Sequence, residues 1–176
     1  EDFRRDIPLS EEILDQVVRG YRTIRNTFRF QIGNLFDFNR DTDSIPLEQL
    51  SAIDLWALDN TADLIEDVTK AFDAYEFHRG IQLVNRYCSN VLSAVYHDVL
   101  KDRLYTFSPN DPLRRSSQTA LDHIFQVLVK LLAPVIPFTT DEAWAYLESG
   151  SDFCLDPLAL QAWPEIDSAW RGREKV

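Results

Sequence analysis

Apolar side chains recur at steps of three and four over several stretches of this chain, and prolines separate the stretches. Prolines at 8, 46, 109, 112, 134, 137, 157 and 164 leave the intervals 9–45, 47–108, 113–133 and 138–156 without the residue that most strongly breaks a helix. In the first interval Leu14, Val17, Tyr21, Ile24, Phe28, Ile32 and Leu35 form one stripe. Ser10 suits the N-cap, and Glu11 and Glu12 suit the positive end of the helix dipole. The spacing predicts a helix over 10–36, roughly 40 Å long. The second interval is too long for one helix. Its pattern predicts a helix over 51–74 burying Leu55, Leu58, Ala62, Ile65 and Phe72, then a break within 73–80. A further helix is predicted over 75–103, burying Ile81, Val84, Cys88, Val91, Leu92, Val95 and Val99. Ser-Pro and Asp-Pro signals make 106–112 a loop.

Asp111 followed by Pro112 is a cap with proline at the first helical position. Leu121, Ile124, Phe125, Leu128, Leu131 and Leu132 continue that helix. Thr139 with Glu142 fits a capping box for a short last helix carrying Trp144 and Leu147. No stretch alternates with period two. The predicted fold is all-α, an antiparallel bundle of four to five helices over 1–150. Residues 151–176 read as a loosely attached tail or linker toward a further C-terminal region, with Trp163 or Trp170 packing back on the bundle.

Composition narrows the chemistry. Two cysteines cannot make a disulfide framework or a four-cysteine zinc site. Five glycines disfavour a glycine-built phosphate loop. No apolar run is long enough to predict a membrane span, and no signal peptide opens the chain. The chain begins at Glu1 and has no methionine, which reads as a processed product or a piece of a larger protein. His78, His97 and His123 are separated, Cys88 reads as a small buried hydrophobe, and no catalytic constellation stands out.

The net charge of −11 argues against nucleic acid as a partner, but the charge is unevenly placed. Residues 41–78 carry ten acidic and one basic side chain, whereas 79–119 carry six basic and three acidic. Arg19, Arg22, Arg25 and Arg29 form a cationic stripe beside the apolar one, with Asn26 between them. Arg114 and Arg115 fall in the first turn of a helix, where positive charge opposes the dipole. A broken local rule of this kind points toward function. Backbone N–H groups and two guanidinium groups there would suit a phosphate, with Lys101, Arg103 and Tyr105 just upstream. The expectation is a single electropositive ledge built from two helices and fitted to RNA. Two alternatives stand beside it. One is an interaction scaffold whose arginines only pair with the acids of 41–78. The other is a helical enzyme with a pocket of clustered carboxylates or histidines.

These segments resemble a known family. Tyr21-Arg22-Thr23-Ile24-Arg25-Asn26-Thr27-Phe28-Arg29-Phe30-Gln31-Ile32-Gly33-Asn34-Leu35 is similar to the opening of the anticodon-binding domain of isoleucyl-tRNA synthetases. So are Lys101-Asp102-Arg103-Leu104-Tyr105 and Arg114-Arg115-Ser116-Ser117-Gln118-Thr119. Ala133-Pro134-Val135-Ile136-Pro137-Phe138-Thr139 with Glu142 and Trp144 looks like the end of that bundle, and Gln161-Ala162-Trp163-Pro164 like the link beyond it. Valyl enzymes share the bundle, and the first two segments favour the isoleucyl branch. Leu55 and Ser117 depart from the usual pattern without touching the basic groups.

The resemblance implies a parent class I ligase that attaches isoleucine to its tRNA, using ATP with magnesium and often a zinc site in a C-terminal region. The catalytic signatures and the editing domain are absent from these residues, so the segment itself is expected to hold no cofactor and do no chemistry. Expected partners are isoleucine tRNA and the catalytic domain of the same parent chain, in the cytoplasm. Arg22, Arg25, Arg29, Arg114 and Arg115 are expected to meet phosphates of the anticodon stem, with Lys101 and Arg103 beside them. Asn26, Asn34 and Gln118 are expected to make polar contacts to RNA.

Overall fold

The computed structural model describes residues 10–148 and 157–171. The described residues contain no strand. Helix α1 spans Glu11–Asn34, and the Ser10 hydroxyl accepts from the Ile13 N–H at its start. A short helix α2, Arg40–Asp43, follows, capped by Asn39; four residues are too few to show a period. Helix α3 spans Ala52–Asp73. The chain then reverses through Tyr75, whose φ of 56° is left-handed. This is the break predicted within 73–80.

The next rod is continuous from Phe77 to Thr106 in three parts: α4 (Phe77–Arg86), a π-helical stretch (Tyr87–Tyr96) and α5 (His97–Thr106). Its buried face includes Val84, Cys88 and Leu92 as predicted, with Ile81 and Val91 packed partly against the core, and departs from the prediction at Val95 and Val99. Val84, Cys88, Leu92, Tyr96, Leu100 and Leu104 are buried, a spacing of four, while Val95 and Val99 are exposed. Bonds from i to i+5 put more residues into each turn than the α-helix does. Along this part of the rod Leu92, Tyr96 and Leu100 face the core, while Val95 and Val99, each one position earlier, face out; Val91 stays packed against the core at its edge.

Helix α6 runs Pro112–Leu132 from an Asp111 cap that accepts from the N–H groups of Leu113 and Arg114. It is the central element, buried on nearly every side. Leu121, Ile124, Phe125, Leu128, Leu131 and Leu132 are fully buried, as predicted. Helix α7 spans Pro137–Glu148, so it starts two residues before the predicted capping box. Thr139 lies inside the first turn, and the Thr140 hydroxyl donates back to the carbonyls of Ile136 and Pro137.

Contacts between residues far apart in sequence fix the topology. Phe28 meets Phe125 edge-on, and the Gln118 side chain donates to the Asn34 carbonyl, so α1 and α6 are antiparallel. Tyr96 bonds Asp54 and Tyr87 bonds Thr61, so α3 opposes the rod. Tyr21 and Thr139 share a hydrogen bond that ties α7 alongside α1. The result is an up-down-up-down bundle.

The segment 157–171 is not loose. Leu158 and Trp170 are buried, and the Trp163 indole donates to Thr69 of α3 at 2.8 Å. Arg171 pairs with Asp63 and Glu66. Trp163 packs on Phe72, whose ring in turn lies over Gly80 of α4, close enough to occupy the space of a Cβ there. Trp163 thus packs on α3, and Trp170 meets His123 of α6 edge-on; the expected packing of Trp163 or Trp170 on the bundle is met, and residues 157–171 are more firmly attached than expected. Cys154 lies outside the described residues.

Candidate nucleic-acid interface

The topology brings the C-terminal end of α1, the C-terminal end of the rod and the N-terminal end of α6 together. The ten residues singled out from sequence fall largely at that end. Their surroundings divide them into two groups.

The α6 group faces inward. Arg114 is 5% exposed. Its guanidinium makes two contacts with the Asp37 carboxylate, at 2.9 and 3.1 Å. Arg115 donates to the Asp37 carbonyl and to the Gln118 side-chain oxygen, and pairs with Asp43 at 3.4 Å. Gln118 is fully buried and donates to the Asn34 carbonyl and the Asp37 carboxylate. Asn34 is buried too and donates to the Phe30 carbonyl. These side chains clamp the turn after α1 onto the start of α6. The like charges in that first turn are compensated by Asp37 and Asp43, so the dipole conflict read from sequence has a structural answer.

Arg103 belongs to a second buried network. Asp54 is fully buried and accepts from Tyr96 at 2.7 Å, Ser51 at 2.7 Å and Ser116 at 2.6 Å. The Arg103 guanidinium sits 3.4 Å from it and also donates to Ser51 and Ser117. Burial, with the Asp54 charge beside it, pushes the Tyr96 phenol well up, so it stays a donor. Removing an ion from water is costly unless its partners replace the lost hydration. These partners do so, and the group reads as a lock joining α3, α5 and α6. Lys101 is paired on the surface with Asp98 at 2.8 Å.

The α1 group faces outward. Arg22, Arg25, Asn26 and Arg29 are all exposed. Arg22, Arg25 and Arg29 make no ion pair with any described carboxylate. Arg19 differs, since its Nε donates to the Asp15 carbonyl. At i, i+3 and i+7 the three guanidinium groups lie on one face of α1. Ile24, Phe28 and Gln31 on the opposite face are buried, and that is why the row cannot turn inward.

Two open hollows flank this row. One is lined by Arg25, Arg29, Gly33 and Phe36 of α1 and its turn, with Glu142 and Tyr146 of α7. The other is lined by Asn26, Arg29, Gly33 and Tyr105. Phe36, Tyr105 and Tyr146 are exposed aromatics. Sequence reasoning misses Phe36 and Tyr146 because an aromatic residue in a helical pattern is read by default as core.

The expected single ledge is therefore half present. Arg115, Arg103, Asn34, Gln118 and the terminal nitrogens of Arg114 are turned to intramolecular partners, while the α1 row is not. No group of three or more His, Cys, Asp or Glu side chains among the described residues is placed to hold a metal ion. Cys88 is fully buried, which pushes its thiol up to about 12. No described helix is long and apolar enough to cross a membrane.

A bundle of this topology carrying anticodon-type sequence blocks belongs to a defined class. Residues 54–176 match the family described as the anticodon-binding domain of tRNA ligase, and the chain belongs to that family. Among its relatives, the isoleucine–tRNA ligase of Thermoanaerobacter sp. (strain X514) is 41% identical over 169 residues, 96% of this chain and 18% of that protein. The isoleucine–tRNA ligase of Moorella thermoacetica is 44% identical over 167 residues, 94% of this chain and 18% of that protein. That of Symbiobacterium thermophilum is 47% identical over 146 residues, 83% of this chain and 16% of that protein. The chain spans less than a fifth of the length of these relatives.

Proposed function

We propose that this chain is the anticodon-binding part of an isoleucine–tRNA ligase, and that it holds the anticodon stem-loop of isoleucine tRNA through the outer face of α1. The parent enzyme would join isoleucine to that tRNA with ATP and magnesium, in the cytoplasm. The catalytic step would belong to other domains of that parent enzyme. Residues 1–150 would be the binding bundle and 151–176 the link toward a C-terminal region.

One observation carries the reading: Arg22, Arg25 and Arg29 stand in one exposed row without acidic partners among the described residues, on a chain of net charge −11. Such a row fits phosphates spaced along one RNA strand, and the acid elsewhere repels RNA from other faces. Asn26, beside the row, is placed for a polar contact to a base or sugar. The buried arginines would support the site by holding its frame.

Gel-shift titration of isoleucine tRNA against the full-length protein carrying Arg25→Glu and Arg29→Glu tests this. Affinity should fall by at least about tenfold, with a shallower dependence on salt. Undiminished binding would refute the placement. A parallel titration with valine tRNA distinguishes the valyl alternative.

A further inference from the structure

Phe36 and Tyr105 are placed where a large apolar side chain has no structural task. Phe36 is 80% exposed and Tyr105 64%. Both line one hollow, together with Leu104, Phe107, Pro109 and the paired Arg114 and Arg115. Arg29 shares one neighbouring groove with Phe36 and another with Tyr105.

Phe36 is also held firmly. The residue before it, Leu35, is buried and closes α1 by donating its N–H to the Ile32 carbonyl. The residue after it, Asp37, is gripped by Arg114, Arg115 and Gln118. The backbone on either side is fixed, so the ring cannot withdraw into the core. Tyr105 sits in the last turn of α5, one residue after buried Leu104. Two aromatic faces on rigid supports, beside unpaired guanidinium groups, match an unpaired nucleobase with its flanking phosphate. Stacking on aromatic side chains is how single-stranded bases are commonly held, and the adjoining charge suits the backbone.

We propose that Phe36 and Tyr105 hold an unpaired base of the bound RNA by stacking, and that the Arg114/Arg115/Gln118 grip on Asp37 is a positioning device for Phe36. The proposal rests on the RNA-binding reading above and adds to it a recognition element independent of charge.

Isoleucine tRNA carrying 2-aminopurine at one loop position at a time is titrated into the full-length protein, with fluorescence and salt dependence read together. The unsubstituted protein should quench at least one loop position. Phe36→Leu and Tyr105→Leu should each remove that quench and weaken binding by roughly tenfold, with the slope against salt unchanged. Phe36→Tyr should restore the quench. Arg25→Ala with Arg29→Ala should instead reduce the slope by about one for each phosphate no longer neutralised. Quench and affinity unaltered in both leucine variants, while the arginine variant still has a reduced slope, would overturn the stacking proposal and leave the phosphate row standing. Absence of RNA binding by the unsubstituted protein would overturn both.

Discussion

The arginines of α1 and those at the start of α6 occupy the same end of the bundle yet live in opposite environments. Arg25 and Arg29 face water with no acidic partner among the described residues. Arg114 and Arg115 lie against Asp37 and Asp43, with side chains 6% and 12% exposed. The same residue type therefore does two jobs. On α1 the cost of leaving a charge unpaired is small because water solvates it. At α6 the charge is enclosed, and the fold must supply an anion for it. An arginine cluster seen in sequence is thus not yet a binding site. What separates the two cases is whether the helix carrying it is central or peripheral.

Removing the enclosed partner gives the largest expected effect. Arg114→Ala leaves the Asp37 carboxylate with Gln118 and the more distant Arg115 alone. It should destabilise the chain by about 3 kcal/mol. Urea unfolding with an unchanged m value would show it as a lower midpoint. Arg25→Ala should change stability by no more than about 0.5 kcal/mol. Equal losses in the two variants would erase the distinction.

The inner side of α1 sharpens the same contrast through pH. His97 is 5% exposed and stacks on Phe30 with ring centroids 4.1 Å apart. Burial, helped by nearby Lys101, lowers its pKa from 6.5 to about 4. The folded state therefore holds a neutral ring at a pH where the unfolded chain has begun to bind a proton. A lowered folded pKa contributes stability above the unfolded value, and that contribution is lost as pH falls from 6.5 toward 4. Between pH 7 and 5 the stability advantage of the parent over His97→Gln should shrink by about 2 kcal/mol. A difference independent of pH would show that His97 binds its proton equally in the folded and unfolded states, contrary to its burial.

Much of this bundle can be read from the order of residues. Ser10, Asp111 and the proline positions mark helix starts through local chemistry alone. The α6 stripe is strong enough that any rotation of the helix would expose leucines. The rod from Phe77 to Thr106 is read correctly at Val84, Cys88 and Leu92 and missed at Val95 and Val99, at the end of and just beyond a π stretch that changes the residues per turn and that no residue pattern announces. The site is legible only in part. The α1 row can be found because the apolar stripe on the same helix fixes which side faces out. The roles of Arg103, Arg114, Arg115 and Gln118 cannot, since their partners Asp54, Asp37 and Asp43 lie on other elements. Nothing in the sequence hints that Asp37 closes on Arg114, 77 residues away. That Trp163 or Trp170 packs back on the bundle is legible from the sequence, but the partners are not: Trp163 and Arg171 find theirs on α3.

The most direct test sets the two arginine groups against each other on RNA. Binding of isoleucine tRNA by the full-length protein is measured across a range of salt concentrations, for the parent, for Arg25→Ala with Arg29→Ala, and for Arg115→Gln. The account predicts that the α1 pair lowers the slope of log affinity against log salt by about one per arginine, while Arg115→Gln keeps the parental slope. A slope lowered by Arg115→Gln and untouched by the α1 substitutions would place the phosphates at α6 and contradict it.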